Sequence, residues 1–271
     1  MIERALRYQT QGDDRVKRVA IGGAATFLGF FLFLPLFPVY GYVLEVIRRN
    51  LRAETGTPPA WDEFDIVELS IDGVKGGAIL FVYSIAIGLV VVLPSGTVGF
   101  LGLVLGSPSL TLLGTVLGGA LSLVGTVLVG VVAPVAVCNY VLRGDITAGF
   151  DVKTLRALVT RRTMLQAAGV ALVVNFLVGV VSGVVGVTII GAPVAGVVGF
   201  IGLSAVAYIW ADGFRAAYEE VYGEFPTVPE GPATTTTAGG AAEPVTTTDE
   251  MPPADGDSDT SADGGDDEER R

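Results

Sequence analysis

Histidine is absent from this chain, cysteine occurs once, at Cys138, and lysine only at Lys17, Lys75 and Lys153. That inventory excludes disulfide frameworks, Cys/His zinc centres, Ser-His-Asp triads and Cys-His dyads, and leaves little room for a Ser-Lys pair or a Schiff base. Charge is scarce as well. Charged residues make up 17% of the 271 and hydrophobic ones 51%, with a mean hydropathy of +0.60, too apolar for an ordinary soluble domain. The composition implies an integral membrane protein.

The net charge of -11 belongs to one end of the chain. Twelve of the 28 acids but only two of the 17 basic residues follow Pro226, so what precedes is nearly neutral. This last stretch, rich in Thr, Pro, Gly and Asp, cannot bury enough apolar surface to offset the entropy of ordering. The expected division is a multi-pass helical domain over 1–225 and a disordered acidic tail over 226–271.

The largest block of charge ahead of Pro226, eleven of 31 charged residues, sits between Gly41 and Gly77. Glu45, Arg48, Arg49 and Arg52 recur at spacings that place them on one helical face, with Val43, Ile47 and Leu51 opposite. After a turn at Thr57, Pro58 and Pro59, and after Trp61, a second amphipathic helix is expected, N-capped by Asp62 with Asp65 in its third position. Its apolar stripe is Phe64, Val67, Ile71 and Val74; its polar stripe is Asp65, Glu68, Asp72 and Lys75. The two arms read as surface helices lying along a membrane, one basic and one acidic.

Around this hinge lie apolar runs of span length. The first, Val19 to Tyr40, is read as one kinked span, interrupted by Pro35 and Pro38, in preference to a re-entrant or split pair; the totals are about five spans or six. Next come a span from Gly76 to Leu93 closed by Pro94, an uncharged connector from Ser95 to Ser109, and a long helix from about Leu110 to Val141. A polar connector from Arg143 to Arg162 holds a short helix capped by Asp151. Two further segments, about Met164 to Ile190 and Ala192 to Ala211, are joined by a turn at Gly191 to Pro193. Gly114, Gly118, Ser122, Thr126 and Gly130 recur every fourth residue, as do Gly179 and Gly183, a pattern that lets membrane helices approach closely. The arginine-bearing connectors predict a common, cytoplasmic leaflet for both, with the uncharged turns opposite.

The order of parts resembles a known family. GYVLEVIRR, a Pro-rich turn, WDEFDIVELSIDGVK, then NYVLRGDITAGFDVKTLR and a closing YIWADGFRAAYEE together resemble the archaeal multi-pass membrane family called domain of unknown function 4013. The most specific portion is the Pro-Pro, Trp61, Asp62, Phe64, Glu68, Leu69, Asp72, Gly73, Lys75 pattern; Trp61 here precedes the acids, where the family usually places it after an Asp-Asp pair. The resemblance implies an all-α polytopic bundle, a cell membrane location and an origin like that of halophilic archaea. It implies no biochemical activity.

Chemistry is sparse at membrane depth. No span contains an ionisable residue of the kind that coupled transporters and pumps keep there. Asn175, Tyr83 and Gln166 are the candidate intramembrane polar contacts, with Asn175 expected to hydrogen-bond a neighbouring helix. The acids of the second arm lie along a stripe without metal-loop spacing, so no metal or cofactor is expected. No GxxxxGK[ST] string occurs, and the few juxtamembrane basic residues suit anionic headgroups better than nucleic acid. Two functions compete: a non-enzymatic scaffold or accessory subunit, binding membrane lipid and another membrane or cytoplasmic protein through Arg48, Arg49, Arg52, Trp61 and the acidic arm, or an uncoupled channel or permease for a small or lipid-like molecule. Oligomeric state is left open by the sequence.

Overall fold

The computed structural model describes residues 2–9, 11–12, 14–54, 58–188 and 191–231. The acidic stretch beyond 231 lies outside the described residues, as does Thr57 of the predicted turn. Eight α-helices and two short 3-10 turns account for most of the described chain, and it contains no β-strand among the described residues. The helices are α1 (Ile2–Tyr8), α2 (Arg15–Leu32), α3 (Leu36–Leu51), α4 (Ile66–Val104), α5 (Pro108–Arg143), α6 (Val152–Val159), α7 (Arg162–Gly186) and α8 (Gly191–Tyr222). Among the described residues α4, α5, α7 and α8 are long and apolar enough to cross a membrane.

The first apolar run does not form a fifth span of that kind. It breaks at Phe33, Leu34 and Pro35, with Phe33 at a φ of 56°, and the chain turns back. The contacts give the directions: a Cβ on Gly22 would meet Phe200 and one on Gly196 would meet Phe27, so α2 runs antiparallel to α8. Asn50 and Tyr208, Tyr42 and Phe200 pair in parallel order along α3 and α8. The single kinked span is thereby replaced by a helical hairpin. The physical reason is charge. Turning back keeps Arg15, Lys17 and Arg18 at the same end as the other basic residues, where Lys17 pairs with Asp62 at 3.2 Å and Arg18 donates to the Gln11 carbonyl at 3.0 Å.

Three other boundaries differ from the sequence reading. α4 continues through Pro94 to Val104, and the connector to α5 shrinks to Leu105, Gly106 and Ser107. A proline is tolerated inside a long apolar helix because unwinding would free backbone groups that no water at that depth could satisfy. The helix after Trp61 begins at Ile66, capped by Asp65 rather than Asp62: the Asp65 Oδ1 accepts from the Val67 amide at 2.7 Å. Gly191 and Pro193 belong to the first turn of α8.

Two antiparallel hairpins, α4–α5 and α7–α8, form the body. In the first, Ser95 lies beside Gly118 and Ile87 beside Gly125; in the second, Val178 lies beside Gly202 and Ala167 beside Gly213. Helix α3 is wedged between them, buried at Val39, Tyr42, Leu44, Val46, Ile47 and Leu51. It is not an arm on a surface. Nor is the start of α4, whose supposed polar stripe turns Asp72 inward while Val67, Ile71 and Val74 remain exposed. After α8 the chain stays packed through 223–231: Phe225 lies against Tyr218, and Arg52 donates to the Pro229 carbonyl.

Candidate functional site

The helical spacing of Glu45, Arg48 and Arg49 aims all three side chains from α3 toward the start of α4. There Arg48, only 6% exposed, donates to Glu45 Oε2 at 2.6 Å and to Asp72 Oδ2 at 2.8 Å. The second oxygen of Asp72 accepts from the Tyr140 hydroxyl of α5. Arg49 reaches Glu45 Oε1 at 3.3 Å and also pairs with Glu63. Burial alone would lower the pKa of Arg48, but the flanking Asp72 and Glu45 carboxylates more than offset that, so the guanidinium is held charged more firmly than usual. Arg49 shifts the same way, with Glu63 and Glu45 outweighing burial. The backbone of Gly231 closes over this node: a Cβ there would fall 2.5 Å from Glu45 Oε2.

The remaining hinge residues are dispersed. Trp61 donates its indole N–H to the Arg18 carbonyl at 3.1 Å and stacks on Tyr42, ring centroids 4.6 Å apart. Phe64 is buried under Arg49. Asp62, whose carboxyl is lowered by its own backbone amide and by Lys17, is exposed, and so are Asp65, Glu68 and Lys75. Among the described residues no three His, Cys, Asp or Glu side chains come together as a metal site would need. The node is therefore a structural clasp joining α3, α4 and α5; its charges are used internally.

On the apolar side of this clasp the two hairpins separate, and a cleft opens between them. One lobe, about 320 Å³, is lined by Tyr40 and Leu44 of α3, Gly77 of α4, Pro134 of α5, Asn175 of α7 and Trp210 of α8. A second, about 330 Å³, is lined by Thr126 and Val127 of α5, Ala168 and Leu172 of α7, and again Asn175 and Trp210. Gly130, Asn175 and Trp210 line both lobes. These volumes fall in the range of small-molecule sites.

Of the intramembrane polar candidates, only Asn175 reaches the cleft. It is exposed there and makes no side-chain hydrogen bond to any described residue, so the expected bond to a neighbouring helix is not formed. Tyr83 instead donates to the Gly149 carbonyl at 2.9 Å and stacks on Phe150, fastening α4 to the α5–α6 connector. Gln166 is exposed early in α7 and does not line the cleft. Sequence reasoning missed Trp210. Its one available signal was rarity, since the chain has two tryptophans and this one lies inside an apolar span.

The packing glycines divide similarly. Gly114 and Gly118 lie against Gly99 and Ser95 of α4, whereas a Cβ on Gly130, Gly179 or Gly183 would meet nothing within 4 Å. Ser122 and Thr126 are exposed, Thr126 toward the cleft. The fourth-residue stripe thus joins two helices at its start and borders open space at its end.

Fold and site together define a class: an all-α bundle with four helices fit to cross a membrane, clasped at its charged end and cleft at its apolar one. The chain belongs to the family described as Protein of unknown function (DUF4013), whose model matches residues 25–191. Comparison with curated proteins and with solved structures gives no match.

Proposed function

We propose that this is a multi-pass protein of the cell membrane, non-enzymatic, that holds a small or lipid-like molecule between its two hairpins and lets it pass or reside there without coupling to ions. One observation carries the reading: an apolar cleft at membrane depth with an unpaired asparagine, Asn175, in its wall. An unpartnered amide among apolar side chains is costly unless a ligand or water answers it. The scaffold alternative draws support from the exposed apolar stripe of Val67, Ile71 and Val74 beside exposed Glu68, a surface another protein could cover; the internal pairing of Arg48, Arg49 and Asp72 counts against it. In either case the charged end faces the cytoplasm, as the positive-inside tendency requires.

An uncharged photoactivatable fatty acid methyl ester incorporated into vesicles carrying the full chain tests the reading. Crosslinks concentrated on α7 and α8 around Asn175 and Trp210 are expected. Crosslinks spread evenly over the outward faces of α4, α5 and α7 would overturn it.

A further inference from the structure

The cleft's lining is selective in a way that names its ligand. Resting on the reading just given, we propose that the occupant is an uncharged long-chain molecule bearing a carbonyl oxygen, which accepts from the indole N–H of Trp210 and the amide of Asn175. Trp210 is 5% exposed, lines both lobes, and its N–H donates to no described residue. Indole nitrogen is a donor only, so what completes it must be an acceptor. Asn175 faces the same space with donors unused.

Two competing ligand classes fit less well. An anionic headgroup would need a cation, and among the described residues no Lys or Arg lines either lobe; a charge desolvated there would stand unpaired. A plain hydrocarbon would fill the volume but leave the Trp210 and Asn175 donors unanswered, and sites built to hydrogen-bond reject analogues lacking the partner. The walls supply shape: Gly77 and Gly130 expose backbone where a Cβ would meet nothing within 4 Å, leaving width for a chain.

Fluorescence of Trp210 tests this on the full-length protein in vesicles of dialkyl-ether phosphatidylcholine, a bilayer without carbonyl groups of its own. The signal is the difference between wild type and Trp210→Phe, which retains Trp61 as background. Two probes are titrated, a long-chain methyl ketone and the alkane of equal length, each brominated at its far end so that entry quenches the indole. The ketone should quench at roughly tenfold lower mole fraction than the alkane. Asn175→Leu should narrow that preference, leaving the part the Trp210 N–H supplies, and Gly130→Leu, which fills the space, should abolish quenching by both. Equal quenching by ketone and alkane, sensitive to Gly130→Leu, would overturn the carbonyl preference while leaving the cleft occupied. Quenching indifferent to Gly130→Leu would overturn the cleft as a binding site altogether.

Discussion

Arg48 is the residue on which the charged end depends, since it is the shared partner of two buried carboxylates. Removing one member of such a set leaves the others unpaired at low dielectric, whereas neutralising the whole set is far less damaging. Arg48→Met should therefore cost about 3–5 kcal/mol, read as thermal unfolding in detergent. Adding Glu45→Gln and Asp72→Asn to it should recover more than half. A single variant as stable as wild type would show that the clasp contributes nothing. Asp151 works on a smaller scale, capping α6 through the Thr154 amide and hydroxyl, which hold its carboxyl below the usual range. Because the folded pKa is depressed, that stabilisation is present above the ordinary carboxylate pKa, about 3.9, and is lost as pH falls through the lower folded value. Hydrogen exchange of α6 should accelerate only in that acid window, and Asp151→Ala should bring the faster exchange, worth about 1 kcal/mol, to neutral pH.

Between helices a very tight contact is the crossing of α3 and α4. A Cβ on Gly41 would lie 1.9 Å from the Leu69 carbonyl oxygen, and one on Gly73 would lie 2.0 Å from that of Phe37. Alanine at either position must push the helices apart, at a cost of about 1–3 kcal/mol. Gly179→Ala and Gly183→Ala, which meet open space, should stay within about 0.5 kcal/mol of wild type. The contrast inverts what repetition in the sequence suggests. Gly179 and Gly183 advertise themselves by regular spacing in an apolar helix, whereas Gly41 stands alone between tyrosines and Gly73 lies between Asp72 and Lys75 in a stretch that reads as polar. A close crossing that draws one glycine from each helix leaves no period to find in either. The amphipathic arms misled for a related reason: periodicity reports that α4 has two faces, but in a chain bathed in lipid the apolar face is the outer one, so Asp72 turns inward to Arg48. Helix α6, short and capped by Asp151, was legible because local chemistry alone determines it.

For the molecule as a whole, the arginines made the pairing of spans readable: charged connectors at one end, uncharged turns at the other. What they could not supply was the reversal at Phe33 to Pro35, which depends on Trp61, Asp62 and the α1 connector receiving Arg18 and Lys17. Cysteine labelling in sealed vesicles checks the result. Cys138 is fully buried and should react with a membrane-impermeant maleimide only after unfolding, a silent background. Cysteines placed at Gln11, Glu54 and Thr160 should share one side, and one at Gly106 the other. Reaction of Gln11→Cys from the Gly106 side would sink the hairpin and restore a single crossing.

The lengths of the hairpins have a consequence for the surrounding bilayer. Helix α4 has 39 residues and α7 has 25, and no charge follows Lys75 in α4, which leaves about 43 Å of uncharged helix against about 37 Å in all of α7. A hydrocarbon layer is about 30 Å thick. The α4–α5 pair must then lean, or thicken the lipid around it, more than its neighbour does. Hydrophobic mismatch is thereby converted into a difference in tilt, and shorter acyl chains should pry the two hairpins further apart.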